Sequence, residues 1–145
     1  YLAGGLFHLG LFLTIFLGAA HMLVWKSLLG FGWPTLPLPV IDALAAIAII
    51  SLIVLALNRV MSPVLRLLTR SSDYFNLRFV FLPMFTGFFL THRLFAPYDT
   101  MFTIHVLTVD ILLIWIPLSR ISHFMFYFYT KARQGVKFAQ RGARP

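Results

Sequence analysis

An all-α integral membrane protein, a bundle of at least four transmembrane helices, is the fold class predicted for this chain of 145 residues, and three observations predict it. Hydrophobic residues make up 60% of the chain and charged residues 11%, with a mean hydropathy of +0.88. A soluble domain carries about a quarter charged residues. Several apolar stretches also reach the roughly twenty residues that cross a hydrocarbon core. Finally, the basic residues behind the formal charge of +8 lie at the ends of these stretches, which suits membrane topology and not a nucleic-acid surface. The chain has no cysteine, so it can form no disulfide and supply no thiolate to a metal or an iron–sulfur cluster. Any iron–sulfur centre must belong to a partner.

Four helices are expected in order. The first runs from Leu2 to Trp25, beginning next to Tyr1 with neither a basic leader nor a cleavage site, so it does not read as a signal peptide. A further segment is expected ahead of it, giving five or more helices in the full chain. The stretch LLGFGWPTLPLP follows, whose Gly and Pro exclude regular helix and whose Trp33 suits a membrane interface. The second helix spans Val40 to Asn58. A turn at Ser62-Pro63 and N-cap candidates at Ser71, Ser72 and Asp73 introduce the third, over Asn76 to Phe95. The fourth spans Thr100 to Thr130. Residues 1–130 then form the membrane bundle and residues 131–145 a basic tail.

Alternating helices place Arg59, Arg66, Arg70, Arg78, Lys131, Arg133, Lys137, Arg141 and Arg144 on one side, and only Lys26 and Arg93 on the other. The positive-inside rule makes the first side cytoplasmic, with the C-terminus, in an inner (cytoplasmic) membrane. The tail is placed to meet anionic headgroups or a cytoplasmic partner.

Histidines in such spans carry the functional signal, because ionisable groups within a membrane are costly and default to function. His105 and His123 are eighteen residues apart on the fourth helix, which returns to the same face roughly 27 Å along. His8 and His21 lie near the two ends of the first helix. Depth pairs His8 with His123 and His21 with His105. Two facing helices with matched histidines could sandwich two haems, each iron bound by an imidazole from either side. Gly5 and Gly10 leave room beside His8 for a flat macrocycle.

Thirteen residues carry His21 about 220° away from His8, so the first helix needs a bend, for which Gly18 is the weak point. His92 competes with His21 for the place opposite His105. Arg120 shares a face with His123, where its guanidinium could hold a haem propionate or snorkel to the interface. Pro117 should kink the fourth helix. Asp110 lies off the His105 face, either in a polar interhelical contact or on a proton route. Lys26, His92, Arg93, Tyr98 and Asp99 fall together at the outer edge, where protonatable groups could serve a quinol.

Pro117-Leu-Ser-Arg120-Ile-Ser-His123, with His105 eighteen residues earlier, resembles the last haem-binding helix of the respiratory nitrate reductase gamma subunit. That family includes the cytochrome b subunits of heterodisulfide reductase and of the sulfite-reduction-associated membrane complex. Leu6-Phe-His8-Leu-Gly10 resembles the start of its first haem-binding helix, and Ser62-Pro63-Val-Leu-Arg66 its cytoplasmic loop. The resemblance implies a di-haem cytochrome b that moves electrons between the quinone pool and a cytoplasmic iron–sulfur subunit, within a complex containing other membrane or periplasmic subunits. It implies His8 and His123 as inner-haem ligands and His105 as one outer-haem ligand. Nitrate reductase places its second histidine where this chain has Gly18, the next histidine being His21, so the sulfur or heterodisulfide branch is favoured. Two other readings stand beside it: a haem-free membrane anchor that docks a soluble redox complex, and a proton-conducting subunit using Asp110 and the histidines.

Overall fold

A computed structural model describes residues 2–142, and the secondary structure it contains is helical throughout. In chain order the helices are α1 (Leu2–Leu17), α2 (Ala19–Leu29), α3 (Leu38–Met61), α4 (Pro63–Leu68), α5 (Ser71–Thr91) and α6 (Tyr98–Leu118), then a 3₁₀ turn (Arg120–Ser122) and α7 (His123–Gln140). By length and composition α3, α5 and α6 could each cross a membrane. The pair α1 and α2 passes the same test only as a broken span or a re-entrant loop, because the two are bent by 61°. Arg144, counted above with the tail cations, lies outside the described residues.

Three expected helices are therefore corrected, the third, Asn76 to Phe95, being displaced toward the N-terminus as α5 (Ser71–Thr91). The first, Leu2 to Trp25, is divided at Gly18, whose backbone is extended (φ −73°, ψ 131°). The fourth, Thr100 to Thr130, stops at Leu118, and Ser119 is extended (φ −129°, ψ 173°). Pro117 has no N–H to continue the helical ladder, and the Ser119 hydroxyl accepts the Ile121 N–H at 3.2 Å, which stabilises the new turn. His105 and His123 thus sit on two different helices, and their common direction is set by this turn instead of by one helical face. Beyond it α7 runs unbroken through residue 130 to Gln140. At helical spacing Phe124, Phe128, Ala132 and Ala139 fall on one side of α7, and Lys137, Gln134 and Arg141 on the other.

The helices form a row in which α1 packs on α3, α3 on α5 and α5 on α6. Phe7, Ala45, Ala48, Leu52 and Met84 make the buried centre. Small residues let α1 and α3 approach closely: a Cβ on Gly10 would come within 2.6 Å of the Leu44 carbonyl oxygen and 2.9 Å of the Ala48 Cβ. Gly10 therefore faces α3 and does not clear space beside His8, as expected above; two residues along a helix turn it about 200° away. Gly5 does border open space.

Candidate functional site: two facing histidine pairs

The break at Gly18 is built so that the carbonyls it frees at the end of α1 are paired. A helix end orphans its last four carbonyls, and in an apolar environment each would be costly. Here all four of α1 are satisfied. The Thr14 carbonyl accepts from the Gly18 N–H at 3.1 Å and from His21 Nδ1 at 3.0 Å. The Ile15 carbonyl accepts from the Trp25 indole at 3.1 Å, the Phe16 carbonyl from the Trp33 indole at 2.7 Å, and the Leu17 carbonyl from the Leu36 N–H at 2.9 Å. Two tryptophans, each needing a partner for its N–H, thus serve the break. Gly18 is required there, since a Cβ would lie 2.6 Å from the Thr14 carbonyl oxygen and 3.3 Å from His21 Nδ1. Gly18→Ala should displace that carbonyl and the His21 ring it holds. If the His21 ring carries a haem, the variant should lose about one haem per chain with the helix content kept, and an unchanged pigment content would show that the break does not set the ring.

The bend turns His21 toward α6. Its ring centre lies 6.3 Å from that of His105, with 47° between the planes. Toward the other end of the first span the ring centres of His8 and His123 are 6.2 Å apart, with 78° between the planes. The outermost helices α1 and α6 do not pack extensively on each other, and the imidazole pairs join α1 to α7 and α2 to α6, marking a slot between them. His8 and His123 are exposed, and His21 and His105 are half-buried.

Each ring is anchored through Nδ1. His8 Nδ1 donates to the Gly4 carbonyl at 2.7 Å and His123 Nδ1 to the Arg120 carbonyl at 2.9 Å. The Thr86 hydroxyl donates to the Leu82 carbonyl at 2.9 Å, so its oxygen accepts from His105 Nδ1 at 3.1 Å. The Thr108 hydroxyl donates to the His105 carbonyl at 2.7 Å. Gly87 lies behind the ring, where a Cβ would come within 2.9 Å of His105 Cε1. Anchoring Nδ1–H in this way assigns the tautomer whose unprotonated Nε2 is free to bind a metal, the usual arrangement of a ligating histidine.

Among the described residues no three His, Cys, Asp or Glu side chains gather as a metal site. Haem iron asks less, because the macrocycle supplies four nitrogens and the protein only the axial pair. A metal–imidazole bond of about 2 Å, plus about 1.1 Å from nitrogen to ring centre, taken on both sides, needs ring centres roughly 6.2 Å apart. Both pairs have that ring-centre spacing. The donor set fits two bis-imidazole irons.

The remaining candidates are dispersed. His92 lies beside Asp42 of α3, 3.7 Å away, with its ring 4.6 Å from that of Phe88, and it does not join His105. Lys26 lines a cavity of about 470 Å³ with Met22, Gly32, Trp33 and Pro34. Arg93 sits in a left-handed turn (φ 53°), and Tyr98 stacks on Phe102. No ion pair or side-chain hydrogen bond joins any two of Lys26, His92, Arg93, Tyr98 and Asp99 among the described residues. Asp110 is exposed on the outer side of α6.

Arg120 points to Asp73 of α5, with Nη1 at 3.3 and 3.4 Å from the two carboxylate oxygens. Asp73 is the buried charge of the bundle: it also faces Arg59 at 3.7 Å and accepts the Arg70 N–H at 2.9 Å. Asp73 was a candidate N-cap from sequence and instead sits three residues into the cap, closing it from inside. Its link to Arg120, 47 residues away, has no local signature.

Over 134 residues, 92% of the chain, the sequence is 34% identical to a protein from Nitratidesulfovibrio vulgaris strain Hildenborough, described only as "Protein". The chain spans 59% of the length of that curated relative. No family model matches the chain. No solved structure matches it either.

Proposed function

We propose that this chain is a transmembrane helical subunit, a di-haem b-type cytochrome, that passes electrons between the quinone pool and a cytoplasmic iron–sulfur partner. The observation that carries the reading is the two-fold occurrence of facing imidazoles at 6.2 and 6.3 Å, every one anchored at Nδ1. In this reading His8 and His123 hold the inner iron, and His21 and His105 the outer one. Haem, when bound, supplies reversible one-electron chemistry that no side chain of this composition offers.

The protein's part is to hold four imidazole rings in two pairs through hydrogen bonds at Nδ1. Carbonyl and hydroxyl acceptors on Nδ1 make Nε2 a better donor, and the break at Gly18 brings the second ring of the first span to the slot. Four spans, with α1 and α2 as one broken span, put the inner pair near the basic cytoplasmic side and the outer pair near the opposite face of an inner membrane. Lys26, at the mouth of the cavity beside His21's helix, is the quinone-site candidate with the most room next to it, whereas His92 and Arg93 stand apart from that cavity. The replacement of the expected histidine position by Gly18, with His21 serving instead, favours a complex of sulfur or heterodisulfide type over nitrate reductase.

The test is reduction by quinol. The purified chain, in lipid nanodiscs and free of oxygen, is mixed with a short-chain menaquinol or ubiquinol analogue, and the b-type absorption bands are followed. Reduction within the mixing experiment is expected. Bands that respond to dithionite but not to quinol would remove the quinone from the proposal, and a colourless chain would favour the haem-free anchor.

A further inference from the structure

A second site is indicated away from the histidines, none of which lines it. The α3–α5 interface opens into a groove of about 350 Å³, lined on α3 by Leu52, Ala56 and Leu57 and on α5 by Tyr74, Arg78 and Phe81. Its floor is almost entirely apolar. From Tyr74 to Phe81 the groove runs about 10 Å along α5.

Arg78 is the anomaly. It lies seven residues inside a helix long and apolar enough to cross a membrane, is exposed, and forms no ion pair among the described residues. Side chains of a helix lean toward its N-terminus, so the stem of Arg78 leads from the groove toward the Ser71 end of α5. That end also carries Arg59, Arg66 and Arg70, while its single carboxylate, Asp73, is already occupied by Arg59 and Arg120. A slot for a hydrocarbon chain thus opens beneath a cation that has no protein anion to meet.

We propose that this groove binds an anionic phospholipid, with one acyl chain against Leu52, Ala56 and Phe81, and the headgroup phosphate on Arg78 with Tyr74 beside it. The inference rests on the transmembrane reading of the chain but is independent of haem. A guanidinium at the membrane surface contributes about 1 kcal/mol toward an anionic lipid, or roughly fivefold in affinity. Zwitterionic lipids share the chain contacts and the phosphate but carry a compensating charge.

The test uses the full chain, purified in mild detergent and stripped of lipid, with phosphatidylglycerol and phosphatidylcholine of identical acyl chains titrated in and bound lipid counted by native mass spectrometry. Phosphatidylglycerol should bind about fivefold more tightly. Arg78→Gln should erase the preference, Arg78→Lys should keep most of it, and Ala56→Trp, which fills the groove, should weaken both lipids. Inorganic phosphate should not compete. Equal binding of the two lipids, or a preference that survives both Arg78→Gln and Ala56→Trp, would overturn the proposal, as would a protein helix found covering the groove in place of lipid. Recovery of the chain in solution without detergent would instead overturn the transmembrane reading beneath it.

Discussion

His21→Ala is expected to remove one of two haems, and His92→Ala to remove none. Both residues are possible partners of His105 by sequence. In the fold the His21 ring is 6.3 Å from that of His105, whereas His92 turns away to Asp42 and Phe88. An iron that loses one axial imidazole has little else to hold it, because among the described residues no third Asp, Glu, Cys or His gathers with either pair. Haem per chain, measured after extraction, should therefore fall by about half in the first variant. The remaining haem should keep its spectrum, since its proposed ligands His8 and His123 are remote from His21 along the first span. Loss caused by His92→Ala in place of His21→Ala would mean that the outer pairing is wrong.

Asp73→Asn should loosen the inner site without touching the outer one. Asp73 binds Arg120 at 3.3 Å, Arg120 belongs to the 3₁₀ turn, and the carbonyl of Arg120 holds His123 Nδ1 at 2.9 Å. Hydrogen bonds to a charged group contribute about 1.5–3 kcal/mol, although the exposure of Arg120 and Arg59 screens part of it. A loss of roughly 2 kcal/mol is expected, read as a lower thermal midpoint in detergent. Alongside it, the haem proposed on His123 should wash out sooner than its companion, and Asp73→Glu should restore part of both. Equal loss of the two haems would mark Asp73 as a general stabiliser with no particular hold on His123.

Much of this architecture is legible in the sequence because it depends on local apolar content. α3 was expected over Val40 to Asn58 and extends only a few residues further at either end. Gly18 stood out as the place where the first span could bend, because thirteen residues could not otherwise bring His8 and His21 to one side. The closing of that bend was not legible: Trp25, Trp33 and Leu36 reach back 10, 17 and 19 residues to carbonyls that no periodicity singles out. A lone indole N–H in an apolar segment was the signal available.

The end of α6 was misplaced for a different reason. Pro117 suggested a kink, but the two serines that convert a kink into a full break act through their hydroxyls, and hydropathy does not record that. In α7 the signal was present and passed over. Phe124, Phe128, Ala132 and Ala139 recur at helical spacing across residue 130, yet the run of cations there reads as a tail if charge alone is considered. The Asp73 cluster and the supports of His105, Thr86 and Gly87, are tertiary, and only the fold brings them to the rings they serve.

Two pairs of histidines, each spaced for one iron, are proposed to hold two haems in one chain. The most direct measurement is a dithionite-reduced-minus-oxidised spectrum of the purified intact chain with haem quantified against protein. Two b-type haems per chain, each lost singly when its own histidine pair is broken, is the predicted result. A chain that binds no haem, or that keeps both haems after His8→Ala and His21→Ala, would contradict the account.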